Sequence, residues 1–217
     1  MTSRALLHGY SYSVYNRVAR LALEIKGVDY RTVEVNPFEH LSEDYLRLHP
    51  FGRVPVLSHD GFDLFETGAI TRYVDRAFAG PALQPAAPAS TARMDQVIAV
   101  IDNYGYWPMV RQVFSHGYFQ PLVRLQAVRA EVEADLNASR KVLSFLEGVV
   151  TEGLILDGRN LTLADCHLAP MLDYFTRAEE GRAALAEHPA LAAWWDAVAG
   201  SSAMQATDPL RDGLSAD

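Results

Sequence analysis

The run His49-Pro50-Phe51-Gly52-Arg53-Val54-Pro55-Val56-Leu57-Ser58-His59-Asp60-Gly61-Phe62-Asp63-Leu64-Phe65-Glu66-Thr67 decides how the first part of the chain must fold. Pro50 and Gly52 mark a loop, since proline lacks the backbone N–H that helices and ladders use and glycine favours turns. Val54-Pro55-Val56-Leu57 is apolar and β-branched, and reads as a strand entered through a proline. Asp60-Gly61 separates it from Phe62-Asp63-Leu64-Phe65, and an Asp-Gly pair between two such runs specifies a tight antiparallel hairpin. Ile70, Tyr73, Val74 and Ala77 recur at helical spacing, so a helix follows from near Thr67. The local order is strand, strand, helix.

Upstream, Ala5 to His8 reads as a short buried strand that Gly9 ends. Val14, Val18, Leu21, Ala22 and Ile25 then fall at helical spacing, and Lys26-Gly27 supplies a cationic last turn and a terminating glycine. Val28 to Val35, with Tyr30, Thr32 and Val33, reads as a second strand. A right-handed βαβ unit is the economical way to join these pieces. A short helix from Ser42 to Leu48 leads into the hairpin, so residues 1–78 are expected to form a βαβ-ββα domain.

Downstream, Pro81, Pro85 and Pro88 suit an extended linker over residues 79–91. Every later periodic stretch is helical: Ala92 to Tyr104, Leu125 to Gly148, Leu163 to Phe175 and Pro189 to Ala199. Residues 92–217 are therefore expected to form an all-α bundle. Thr162-Leu163-Ala164-Asp165 reads as a capping box with Asp in the usual Glu position, and Pro170 predicts a kink in the helix it opens.

Composition narrows the functional classes. The chain has 217 residues, 49% hydrophobic and 21% charged, which is ordinary for a folded globular protein. A net charge of −8 argues against a polyanion-binding surface, so no nucleic-acid partner is expected. No apolar run reaches the roughly 18 residues of a membrane span, so no membrane association is expected either. The single cysteine, Cys166, agrees with a reducing, cytoplasmic setting and reads as core packing.

A βαβ-ββα domain with a proline entering its third strand, followed by a helical domain, resembles the cytosolic glutathione transferases. Five segments carry the likeness in the family's order: Ser13 to Gly27, His49 to Leu57, Glu66-Thr67, Leu161 to Asp165, and His188 to Trp195. The resemblance is to serine-type, bacterial-like members, and it covers nearly the whole chain. It implies a thioredoxin-like first domain, glutathione as co-substrate, no metal, a small electrophilic partner molecule and a homodimer. Conjugation is the implied reaction; a glutathione-dependent isomerase, peroxidase or dehalogenase would share the sulfur site, and a non-catalytic scaffold would keep only the fold.

The chemistry needs a thiolate, because a neutral thiol is a poor nucleophile. In the serine-type members the hydroxyl that stabilises it precedes the first helix, which places it at Ser13; Ser11, Tyr10, Tyr12 and Tyr15 also bear hydroxyls nearby, and Ser13 also suits a plain helix cap. Val54-Pro55 resembles the family's cis-proline turn, whose backbone pairs with the peptide's cysteinyl amide. Thr67 and nearby N–H groups would take the γ-glutamyl carboxylate, with Glu66 facing the ammonium. His40 and Arg53 lie where some members contact the glycine end, although Leu41 stands where a lysine often follows the histidine. Tyr104, Tyr106, Trp107, Met109, Phe114, Tyr118 and Phe119 either face the electrophile or pack in a core, with Pro108 bending or dividing their helix; Tyr12 and Tyr106 are the pocket candidates.

Overall fold

A computed structural model describes residues 5–211, so the outermost residues of the expected 1–78 and 92–217 domains lie outside the described residues. The chain divides into two compact units, one reaching Leu83 and including the segment from Ser202, the other Gln84–Ser201.

In the first unit the elements are β1 (Ala5–Gly9), α1 (Val14–Ile25), β2 (Tyr30–Glu34), α2 (Glu43–Leu48), β3 (Val56–His59), β4 (Phe62–Phe65) and α3 (Thr67–Ala77). The expected βαβ-ββα order is present. The sheet runs β2-β1-β3-β4, with β1 parallel to β2 and antiparallel to β3, and β3 antiparallel to β4. Asp60 and Gly61 both adopt positive φ, 50° and 78°, as a tight turn matched to strand twist requires. Ala5, Leu7 and Gly9 of β1 are buried while Leu6 and His8 are only half so, the alternation of a strand with one face on a core. That core is closed by Val14, Val18, Leu21 and Ala22 of α1 and Ile70 and Val74 of α3, which pack together. Lys26 lies just beyond α1 rather than in its last turn; its buried ammonium donates to Asp75 and to the Pro81 carbonyl.

Among the described residues the last helix, α10 (Ser202–Thr207), also packs on α1. Arg17 Nη2 donates to the Met204 carbonyl at 3.2 Å, and Arg20 donates to the carbonyls of Ala206 at 3.0 Å and Thr207 at 3.4 Å. Cations at a helix C-terminus satisfy carbonyls that have no partner within the helix.

The second unit is helical. α4 (Pro88–Val100) begins within the stretch read as linker, because proline at the first helical position gives up an N–H that would be unpaired there anyway. It continues without a break into a π-wound segment, Ile101–Phe119, and α5 (Gln120–Leu122). Pro108 therefore does not divide this helix. α6 (Arg129–Glu152), α7 (Leu163–Arg177), α8 (Glu179–Ala186) and α9 (Pro189–Ala199) complete the unit, and α8 had no clear signal in the sequence. Leu163 to Leu172 is buried without interruption, since α7 is packed by α4, the π segment, α8 and α9. Cys166 sits in that core as expected. Among the aromatic residues, Phe114 is core, stacked on Tyr174 at 4.4 Å, whereas Tyr104 and Trp107 are exposed.

The capping box forms. Asp165 accepts from the Thr162 N–H and hydroxyl, each at 2.7 Å, and its other oxygen accepts Trp194 Nε1–H at 2.9 Å. Burial pushes this carboxyl up, and the bonds from Thr162 and Trp194 oppose that. Asp165→Ala would deprive three buried donors of their acceptor, so we expect a loss of about 2–4 kcal/mol in urea unfolding, against about 0.5–2 kcal/mol for Thr162→Ala. Equal and negligible losses would remove the box from the stability of this unit.

Candidate active site

Strand register builds the site. His8 lies opposite Val56, and Val56 opposite Phe65. The end of β1, the start of β3 and the end of β4 therefore share one edge of the sheet, with adjacent strands about 4.8 Å apart. The connections at that edge carry Ser13, Val54-Pro55 and Glu66-Thr67, all within the first unit. On the other side of β1, Gly9 pairs with Glu34, which brings the end of β2 to the same edge.

The loop from Gly9 to α1 is held by backbone and amide bonds. Ser13 N–H and Asn16 Nδ2 both donate to the Tyr10 carbonyl, at 2.9 and 3.0 Å. Ser13 caps α1: its Oγ accepts Asn16 N–H at 3.3 Å, and its own backbone is extended, with φ −71° and ψ 124°. Among the described residues its hydroxyl proton has no acceptor. Ser11 differs, because its hydroxyl donates to Glu34 at 2.6 Å and its N–H to the same carboxylate at 3.0 Å. The Tyr10 ring contacts Tyr12 at 5.5 Å and Phe38 at 5.9 Å, and its phenol is pushed up first by burial, then by Tyr12, Glu34 and Glu39. Tyr15 is half-buried on α1.

The Val54-Pro55 peptide is cis. Arg53 is exposed, and its carbonyl accepts the Tyr45 hydroxyl at 2.6 Å, which pins the loop to α2. Thr67 is buried at the start of α3, and the exposed Glu66 before it has φ 71°. A non-glycine residue held in left-handed backbone costs about 1–3 kcal/mol, and such strain collects at functional sites. Ser13 and Ser42 cap α1 and α2, but no side chain caps α3. Ala69 and Ile70 N–H both donate to the Glu66 carbonyl, at 3.0 and 2.9 Å, and the helix start also carries the Thr67 and Gly68 N–H groups. His40 is exposed in the loop between β2 and α2. Tyr12 lies in the loop after β1, and Tyr106 is half-buried on the π segment of the second unit.

Sequence reading missed Asn16, Glu34 and His49 at this edge. The first two act through contacts that only strand pairing and loop closure create; His49 replaces no pattern and is buried against Phe65, ring centroids 4.6 Å apart. Among the described residues no group of three or more His, Cys, Asp or Glu side chains could hold a metal ion, and no helix is long and apolar enough to cross a membrane.

Comparison with known proteins gives the following matches. The family model "Glutathione S-transferase, N-terminal domain" matches residues 6–76, and "Glutathione S-transferase, C-terminal domain" matches residues 106–201. Glutathione S-transferase 3 of Zea mays is 32% identical over 205 residues, covering 91% of each chain. Among solved structures, glutathione S-transferase III in apo form aligns with a TM-score of 0.82 at 29% identity, covering 94% of this chain and 95% of its own. Glutathione S-transferase I from mais, in complex with an atrazine glutathione conjugate, aligns at 0.83 and 26% identity, covering 97% and 99%.

Gly9 makes a local test of the loop. A Cβ there would stand 2.1 Å from Asn16 Oδ1 and 2.4 Å from its Cγ. Gly9→Ala must therefore expel the amide that holds the Tyr10 carbonyl, and we expect a loss of about 1–3 kcal/mol with faster hydrogen exchange at Ser13 N–H. Unchanged exchange there would show that Asn16 does not organise the loop.

Proposed function

The chain belongs to the glutathione S-transferase family, and from that premise we propose that it conjugates the glutathione thiolate to a small, apolar electrophile, with Ser13 as the thiolate-stabilising residue. The observation that carries this is the pair of serine environments. Ser11 already gives its proton to Glu34, while Ser13 caps α1 with its oxygen and has a proton to donate. Cap and sulfur ligand are compatible roles of one hydroxyl.

The energetics are sufficient. A hydrogen bond to a charged sulfur contributes about 1.5–3 kcal/mol and a helix N-terminus about 0.3–1 kcal/mol. At about 1.4 kcal/mol per pKa unit, together they lower the thiol by roughly one to three units, from the ordinary range near 8.5 to one populated at neutral pH. The thiol proton leaves to solvent, the sulfur forms the new bond to carbon, and the leaving group departs with its electron pair.

The remaining contacts belong to the same proposal. The backbone at Val54 and cis Pro55 pairs with the cysteinyl amide as an added strand does. The γ-glutamyl carboxylate takes the uncapped start of α3 at Thr67, its ammonium meets Glu66, and His40 and Arg53 serve the glycine end. Tyr12, in the loop that carries Ser13, faces the electrophile. The serine-type assignment rests on Ser13, and a homodimer and a cytoplasmic location are part of this reading on the strength of the family alone.

Retention on immobilised glutathione with elution by the free tripeptide, and turnover of chlorodinitrobenzene, are the expected results. Ser13→Ala should lower kcat/KM by roughly ten- to hundredfold, the loss of one charge-assisted hydrogen bond, and raise the bound thiol's pKa read from thiolate absorbance. Ser11→Ala should move neither. Full activity in Ser13→Ala would assign the role to another hydroxyl; binding without conjugation but with peroxide or isomerase turnover would change the reaction class. Light scattering should give twice the chain mass.

A further inference from the structure

His49 follows α2 and carries a side chain with no part in the contacts proposed above. It is 2% exposed, and its Nδ1 is buried without a hydrogen-bond partner among the described residues. An orphan group at that depth costs about 1–3 kcal/mol and calls for an explanation. The ring lies 4.6 Å from Phe65 and 6.3 Å from Phe51, centroid to centroid. Phe65 leads directly into Glu66, the residue held at positive φ beside the open start of α3.

The charges around the ring are few. Burial lowers its pKa most, Glu66 raises it and Arg53 lowers it. Asp44 and Arg47 of α2 pair with each other in solvent, and Asp63 of β4 accepts from Ser58 and acts on His8. Glu66 is thus the anion a protonated His49 would meet.

We propose that His49 is a positioning residue for the γ-glutamyl end of glutathione: neutral, it leaves the Glu66 carboxylate to the ligand's ammonium, and protonated, it draws that carboxylate to itself. The inference rests on the glutathione reading above. The sign follows from the depressed pKa. The neutral ring is fully favoured above the ordinary histidine value of about 6.5, and the advantage is lost as pH falls through the lower folded value. Ligand ammonium and ring proton then compete, so each weakens the other's binding by the same factor.

Calorimetry with glutathione between about pH 5 and pH 7.5, the histidine range, separates the outcomes. For the wild-type protein we expect Kd to rise roughly five- to tenfold towards the acid end, a modest site-to-site coupling. His49→Gln should bind glutathione with a flat profile. The same slope in both proteins overturns the role of His49 and leaves the glutathione reading intact, whereas absence of binding at every pH overturns that reading. If His49→Gln does not fold, the wild-type His49 ring signal is titrated by NMR with and without saturating glutathione. A midpoint lowered by the ligand is expected, and an unmoved midpoint overturns the proposal.

Discussion

The pairing that sets His8 opposite Val56 and Val56 opposite Phe65 is the constraint on which the site depends. One residue of slip in either ladder would turn every side chain to the other face and carry Pro55 or Glu66 away from the end of β1. Two features hold the register. Leu7 and Leu57 are paired and both fully buried, so a slip would expose them, and the Asp60-Gly61 turn fixes β3 against β4 with no freedom in loop length. Hydrophobic burial in the first unit is thereby converted into the placement of polar groups several residues away.

At that edge the chain accepts local conformations that stability alone would not select. Glu66 occupies left-handed backbone, α3 starts without a side-chain cap, and His49 keeps a buried nitrogen unpaired. Elsewhere Ser42 caps α2, Thr162 and Asp165 close α7, and Lys26 is paired on burial, while Arg124 and Leu156 also take positive φ and α4, α6, α8 and α9 also start without a side-chain cap.

What could be read from the sequence was what depends on near neighbours. The β3–β4 hairpin, the α1 stripe, the Ser13 cap and the α7 capping box each lie within a few residues, so residue types alone specify them. Contacts made across chain separation could not be read. Ser11 is occupied by Glu34 only because β1 and β2 pair, and Gly9 is required only because Asn16 folds back against it. The π winding of Ile101–Phe119 was hidden because Pro108 signals a break wherever the helix keeps a narrow turn, and a wider turn removes the conflict between its ring and the preceding carbonyl. The late helices α8 and α10 are short, eight and six residues, too few for periodicity to stand out.

The clasp of Arg17 and Arg20 on the carbonyls of α10 joins residues separated by 187 positions or nearly so. During synthesis the helical unit leaves the ribosome whole before Ser202 emerges, while the unit begun first still lacks its closing helix. Until Ser202–Thr207 has emerged, both guanidinium groups stay without those acceptors and the face of α1 that receives α10 stays wet. Order of manufacture and order of completion are thus reversed: the half of the chain made second is the half finished first.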